Sequence, residues 1–372
     1  MVKNAYIHIP FCKSKCNYCS FVSFCNLGLK NDYLNALKKQ IKAEYQGESL
    51  NTIYFGGGTP SLLSIDEFRE LLDLFNLNKD VEITFEANPD DANLEYSKNL
   101  MQLGVNRLSL GVQTFDDKIL QIIGRRHNAV QTLFALHCAA EAGFDNINID
   151  LIHGLPTQSL ADFVSDLQKV EELGIHHVSL YGLKIEDGCY FYKNLPSCLP
   201  DLDLQADMYL KAVEVLKDKG FEHYEISNFS LPGFNSKHNL NYWNNNTYYG
   251  FGCSASGYSY VVGQVCPTYE TAVRYTNEIN LKKYIQNPLN KFSKQHLSEQ
   301  EILEEAIFLG FRKIAGINVE EINKKFDIDF DEKYSKILEQ YSEFFIKTQT
   351  GWALTTKGIL ISNEILAQFI AD

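Results

Sequence analysis

Cys12, Cys16 and Cys19 stand in the spacing CxxxCxxC inside the stretch HIPFCKSKCNYCSF. Three thiolates can hold three corners of a cubane 4Fe-4S cluster and leave the fourth iron without a protein ligand, open to a substrate or cofactor. A strained disulfide or half of a zinc site would draw on the same residue type. Zinc, however, takes four ligands, and no second CxxC or HxxxH pair follows. Cys25 comes next in the chain, matches no cluster spacing and reads as a free thiol. The spacing therefore points to redox chemistry at an open iron.

A second group of residues could hold what binds there. The run GGGTP places Gly56, Gly57, Gly58 and Thr59 directly after a short apolar stretch. Consecutive glycines let backbone approach a ligand with no Cβ in the way. A phosphate loop would need a Lys-Ser/Thr pair that is missing, and a plain tight turn is the remaining reading. Glu86, Gln113, Arg125 and Asp150 end or follow later apolar stretches. Each alone suits a helix cap, a surface group or a paired charge. Their convergence on one face is what makes them candidates: a sulfonium nucleoside such as S-adenosylmethionine, for example, presents an α-ammonium, a carboxylate and ribose hydroxyls. Carboxylates, an amide and a guanidinium are the groups that pair with these.

The elements that must position these residues are legible as an α/β alternation. Short β-branched and aromatic runs at 6–9, 52–55, 82–86, 107–111, 146–152 and 177–182 predict strands. Between them lie amphipathic stretches such as 32–45, with Tyr33, Leu37, Ile41 and Tyr45 every four residues, and 66–75, preceded by Ser64 as N-cap. Repeated β-then-α units demand parallel strands. Six units predict a partial, open (β/α)6 barrel of the TIM type, with a doubly wound sheet as the competing architecture. In both, the ligand site lies at the C-terminal ends of the strands, where the cysteine loop also falls. Beyond residue 220 the pattern changes. One more strand at 221–226 leads into an aromatic-rich, aperiodic region at 228–260. Helices from 299, at 319–326 and at 332–341, a β-rich turn at 345–354 and a last helix follow in winged-helix-like order. The expected domains are 1–225, 226–290 and a mainly helical 291–372.

Composition narrows the function classes. In 372 residues, 47 acidic side chains outnumber 34 Lys plus Arg, for a formal net charge of −13. Such a chain repels phosphate backbones, which disfavours nucleic acid as a partner. No apolar run is long enough to span a bilayer, and MVKNAYIHIPFC has neither the apolar core nor the cleavage site of a signal peptide. Nine cysteines without a disulfide pattern fit the reducing cytoplasm. Of these, Cys189, Cys198, Cys253 and Cys266 show no ligand spacing. His8 and His153 fall in predicted strands and read as buried, hydrogen-bonded histidines without an assigned role.

The segments YIHIPFCKSKCNYC, YFGGGTPS, FEANPD, NRLSLGVQTF and NIDLIHGLP resemble the radical S-adenosylmethionine superfamily. In particular, the chain is similar to the branch that contains the oxygen-independent coproporphyrinogen III oxidases and the HemW-type heme chaperones, and the likeness runs into ALTTKGILISNEIL near the C-terminus. The resemblance implies that Cys12, Cys16 and Cys19 bind the cluster. It also implies that Tyr6, Gly57, Gly58, Thr59, Glu86, Gln113, Arg125 and Asp150 contact the cofactor. One-electron cleavage of the sulfonium to methionine and a 5′-deoxyadenosyl radical is the implied chemistry, at the low end of cluster potentials. The decarboxylating members carry a further cysteine two positions after the third, where this chain has Phe21, and a longer segment before the cysteines than the eleven residues here. Both departures favour the chaperones, as does His238-Asn239-Leu240-Asn241-Tyr242-Trp243, which matches their HNxxYW motif. A neutral imidazole can ligate heme iron and flanking aromatic rings can stack on a porphyrin, so His238, Tyr242 and Trp243 are the candidate heme residues. Tyr248, Tyr249 and Phe251 either extend that wall or pack. Heme-acceptor proteins and an electron donor such as flavodoxin or ferredoxin are the implied partners, and a homodimer is compatible with the sequence. Whether the sulfonium is cleaved in the working cycle, the residues leave open.

Overall fold

Polar and apolar residues alternate along the paired stretches of the first six strands, and this alternation shapes the barrel. The computed structural model describes residues 2–262 and 270–370, so Cys266 lies outside the described residues. Strands β1 (Asn4–Ile9), β2 (Leu50–Gly57), β3 (Leu77–Ala87), β4 (Arg107–Gln113), β5 (Ile147–His153) and β6 (His177–Gly182) pair in parallel, each beside its sequence neighbour. Ala5, Ile7, Ile53, Phe55, Ile83, Phe85, Leu108, Leu110, Ile149 and Val178 form one face and are buried under the crossover helices. The other face carries Tyr6, His8, Thr52, Tyr54, Glu82, Thr84, Glu86, Arg107, Ser109, Asn148, Asp150, His177 and Ser179, in register from strand to strand. Parallel sheets covered on both faces read as unbroken apolar runs. A sheet with one polar face encloses a polar lumen instead.

This strand order decides between the two expected architectures. A doubly wound sheet reverses its order at a switch point. Here β1 to β6 run consecutively, so right-handed crossovers place every helix on the same side and the sheet curls into a partial barrel. It stays open because β6 pairs with antiparallel β8 (Asn228–Ser230), itself paired with β7 (Glu222–Glu225), while β1 is flanked on its outer edge by β9 (Tyr249–Phe251). The helix Lys30–Glu44 buries Tyr33, Leu37 and Ile41, the expected stripe. Ser64 caps Ile65–Leu72 in a capping box with Glu67, three residues shorter at its end than the sequence pattern suggests.

After the barrel the aperiodic region proves to be structured. It holds the short helix Lys237–Trp243, β9 and β10 (Ser256–Val262), and β10 forms an antiparallel sheet with β11 (Glu270–Asn277) and β12 (Lys291–Leu297). The C-terminal region is mainly helical, with Glu299–Gly310, β13 (Ile317–Asn318), Val319–Phe326, and a hairpin of β14 (Phe345–Lys347) and β15 (Gly351–Leu354) in winged-helix order. The single helix expected at 332–341 is two short ones, Phe330–Lys333 and Ser335–Gln340, broken at Tyr334, whose backbone leaves helical values. Among the described residues, no helix is long and apolar enough to cross a membrane.

Candidate functional site

The cysteine loop leaves the C-terminal end of β1 and is held by its neighbours through backbone bonds. The Cys12 amide donates to Phe24 and the Phe24 amide to Pro10, while the Asn17 amide donates to Ile123 and Asn17 accepts from Phe191. A separate apolar cluster of Ile119, Ile123, Ile152, Leu155 and Phe191 packs around Tyr18 beside the loop. The three thiols are half-buried, and Cys25 is exposed. Burial pushes the Cys12 and Cys19 thiols up; Cys16 and Cys25 add to the rise at Cys12, and Cys16 and Cys12 to that at Cys19. Among the described residues, no three Cys, His, Asp or Glu converge tightly enough to grip one ion.

Hydrogen bonds tie these sulfurs to the polar residues of the next strands. The Thr59 hydroxyl lies 3.5 Å from Cys12 Sγ and accepts from Asn88 Nδ2 at 3.1 Å. Asn88 Oδ1 in turn accepts from Arg125 Nη2 at 2.6 Å, and Arg125 Nη1 lies 3.5 Å from Cys16 Sγ. A closed path therefore runs Cys12–Thr59–Asn88–Arg125–Cys16. Sequence reasoning missed Asn88, although it stands within FEANPD. Arg125 also donates to the Gly111 carbonyl at 2.6 Å, yet its buried Nε has no partner. Such an orphan donor beside the cysteine sulfurs fits a bound group that accepts hydrogen bonds.

The glycine run closes against β1. Gly57 has φ +111°, and a Cβ there would stand 2.3 Å from His8 Nδ1; one on Gly58 would meet the Phe11 backbone at 2.7 Å. His8 is fixed in turn: Tyr6 donates to its Nδ1 at 2.9 Å and its Nε2 donates to Val22 O at 3.0 Å. Burial lowers this imidazole to about 4, so it is a neutral, satisfied histidine, as expected. Glu86 faces the same spot, accepting from the Tyr54 hydroxyl at 2.7 Å and the Gly57 amide at 3.0 Å. Burial raises Glu86 to about 7, Tyr54 opposes the rise and the Asp150 carboxylate adds to it. Asp150 is likewise raised by burial against a 2.9 Å bond from Asn148. Gln113 ends β4 in the left-handed region at φ 72°, where the β4–β5 register shifts, a strained geometry for a residue with a side chain. Two half-buried carboxylates, an amide and a guanidinium thus ring the mouth of the lumen. Such a set can pair with an ammonium, hydroxyls and a carboxylate.

His238 stands at the other end of the lumen. The helix that carries it is capped by Ser236, and the buried Glu82 carboxylate accepts from the Lys237 and His238 amides at 2.9 Å each. Because the Thr52 hydroxyl donates to Asn4 Oδ1 at 3.0 Å, it accepts from His238 Nδ1 at 2.7 Å. That leaves Nε2 as acceptor, and the Tyr242 hydroxyl donates to it at 2.8 Å. Burial lowers His238 to about 3, with Arg107 pushing the same way, so the ring is neutral. Thr52 and Gly56 are four residues apart on β2, a rise of roughly 13 Å between the two ends of the lumen. Tyr54 lies between them, its ring 5.2 Å from that of His238 and its hydroxyl on Glu86. Trp243 turns away from the lumen toward Arg312, whose guanidinium lies 6.0 Å from its ring. Tyr249 and Phe251 stack on each other at the sheet edge. His153 is buried beside Phe163 and Tyr209.

Comparison with known proteins gives the family and the fold. Residues 6–170 match the model of the radical SAM superfamily and 297–361 that of the HemN C-terminal domain. Heme chaperone HemW of Lactococcus lactis subsp. lactis is 38% identical over 99% of this chain and 97% of its own length. Those of Bacillus subtilis and Escherichia coli are 36% and 33% identical, covering 100% and 99% of this chain and 100% and 98% of theirs. The solved structure of coproporphyrinogen III oxidase (HemN) from Escherichia coli superposes with a TM-score of 0.85 at 22% identity, over 100% of this chain and 90% of that one. At that identity the likeness establishes the fold.

Proposed function

The chain belongs to the radical SAM superfamily and, within it, to the HemW heme chaperones, and from that premise we propose that it binds heme and delivers it to acceptor proteins. In this reading Cys12, Cys16 and Cys19 hold one 4Fe-4S cluster. Tyr6, Gly57, Gly58, Thr59, Glu86, Gln113, Arg125 and Asp150 hold S-adenosylmethionine, and His238 with Tyr242 and Trp243 meets heme. The observation that carries it is a neutral imidazole, presented by the HNLNYW helix at the end of the lumen opposite the cysteine loop.

When bound, an open-cornered cluster supplies a low-potential electron to the sulfonium. The residues of this chain do the holding. Arg125 and Thr59 place N–H and O–H donors near two of the sulfurs. Glu86 is half-ionised near neutral pH and takes its full charge when a cation arrives. Tyr242 guards Nε2 of His238, which becomes an iron ligand once that hydroxyl moves off. In this reading the chain works in the cytoplasm, with flavodoxin or ferredoxin as the electron source.

Transfer tests the reading. Hemin-loaded chain, mixed with a heme-free b-type cytochrome under a scavenger of free hemin, passes its heme to the cytochrome. Failure to transfer, or decarboxylation of coproporphyrinogen III at enzymic rates in an anaerobic mixture with reductant and S-adenosylmethionine, overturns it.

A further inference from the structure

Among the described residues Cys25 and Cys198 are the exposed thiols, and the cluster reading gives Cys25 no part. The backbone nevertheless fixes it beside a cluster cysteine. Phe11 and Phe24 form a parallel bridge, in which the Phe24 amide donates to Pro10 O at 2.7 Å and the Cys12 amide to Phe24 O at 3.1 Å. Cys12 and Cys25 each follow one partner of that bridge, so they stand side by side in register. Alternation along an extended chain turns both side chains to the face opposite the two phenylalanines. That face is the outer one, since Phe11 is buried and Phe24 packs against the core. A turn closed by the Leu27 amide on Cys25 O holds the chain from the other direction.

Paired strands lie about 5 Å apart, inside the range of roughly 4.4–6.8 Å over which a disulfide joins two Cα atoms. The thiols also interact, Cys25 being among the groups that raise Cys12. Cys12 is only half-buried, which leaves its sulfur open to a small reagent. Disulfides in a reducing compartment are transient and redox-sensing. Thiols that sense oxidants are exposed and have a second cysteine next to them, and Cys25 meets both conditions.

We propose that Cys25 and Cys12 are a redox pair that closes as a disulfide when the cluster is absent and withholds Cys12 from iron until a reductant reopens it. The oxidant is a low-molecular-weight disulfide. The exposed Cys25 thiol attacks it first: its S–S bond breaks, a mixed disulfide forms on Cys25, and the thiol proton leaves with the departing thiol. The Cys12 thiol then attacks the Cys25 sulfur and expels the second half of the oxidant, again as a thiol. Two cysteine thiols are oxidised and the small disulfide is reduced to two thiols. The new bond encloses Cys16 and Cys19 in its loop and leaves two sulfurs where an open-cornered cluster needs three. With the cluster bound, Cys12 is engaged and the reaction stops at the mixed disulfide. The inference rests on the cluster reading above and adds a condition under which one ligand is withheld.

The test uses the full chain and oxidised glutathione. Wild type and Cys25→Ser, each with its cluster and after removal of the cluster by a chelator, are exposed briefly to the disulfide, alkylated and cleaved with trypsin for mass spectrometry. Trypsin separates residues 4–13, which hold Cys12, from 16–30, which hold Cys16, Cys19 and Cys25. Stripped wild type yields these two peptides joined, with Cys16 and Cys19 alkylated, and rebuilds its cluster from iron and sulfide only after dithiothreitol. Cluster-loaded wild type yields glutathione on Cys25 and no joined peptides. Stripped Cys25→Ser yields the peptides separate and rebuilds its cluster without dithiothreitol. Glutathione on Cys198 shows in every sample that the oxidant has reacted. Joined peptides in Cys25→Ser overturn the pair and leave the cluster reading standing, as does stripped wild type whose Cys25 keeps its glutathione beside an alkylated Cys12. Equal iron uptake by oxidised wild type and oxidised Cys25→Ser does the same. Reduced wild type that takes up no cluster removes Cys12 as a ligand and sinks both.

Discussion

Glu86 makes cofactor binding depend on pH in a direction that can be worked out. Burial raises its carboxyl to about 7, against an ordinary 4.5. Keeping it ionised in the empty site at neutral pH thus costs about 3 kcal/mol relative to water, at about 1.4 kcal/mol per pH unit. A cofactor α-ammonium beside Glu86 removes that cost, and binding then expels the proton. From about pH 5.5 to about pH 7, below the range in which free α-amino groups titrate, affinity for S-adenosylmethionine rises close to tenfold per pH unit in wild type. Glu86→Gln abolishes the slope and binds more weakly at neutral pH. Calorimetric titration of anaerobic protein in buffers of different ionisation enthalpy reads both the affinity and the proton released. Wild-type affinity that is flat across this window, or a slope that survives in Glu86→Gln, refutes the placement of the ammonium. The same carboxyl has a consequence for folding. The native state retains its proton between about pH 4.5 and about pH 7 while the unfolded chain has lost it, so Glu86 contributes stability at low pH that is lost as pH rises through that window.

Gly57→Ala puts a methyl into the His8 ring at a left-handed backbone position; the expected cost is about 3 kcal/mol, from strain and the broken Tyr6–His8 bond, read in urea unfolding and in lowered iron content. Glu82→Gln weakens two bonds to the start of the His238 helix and costs about 2 kcal/mol, seen as faster amide exchange confined to 236–243. Burial lowers His153 to about 4. Its contribution is present above about pH 6.5 and lost as pH falls toward about 4, so His153→Gln loses about 3 kcal/mol less than wild type across that window in chemical unfolding.

Much of the barrel was written in local pattern. Strand 177–182 coincides with β6, Ser64 caps the helix it precedes, and the cysteine loop, Gly57 and Glu86 share one end of the sheet. Consecutive strand order, which rules out the doubly wound alternative, is a matter of long-range pairing and left no mark in any single segment. Strand β9 escaped notice because three residues carry no period and their partner, β1, lies more than 200 residues earlier. Sheet β10–β11–β12 was also missed, although its strands are seven or eight residues long and consecutive in the chain. The inner face was readable and was not read: Thr52, Tyr54, Glu82, Thr84, Arg107, Ser109, Asn148 and His177 alternate with apolar neighbours, a period-two polar stripe that announces a lumen. His238 joins the same lumen as Glu86, but from the opposite end, a relation that only the packing of its helix on Thr52 and Glu82 creates.

Titration of hemin into anaerobically reconstituted wild type and His238→Ala, with iron–sulfur content and the Soret band followed on the same samples, addresses the central claim most directly. The account predicts four cluster irons in both proteins, and one histidine-ligated heme per chain in wild type alone. Equal heme uptake by the two proteins, or cluster loss in His238→Ala, contradicts it.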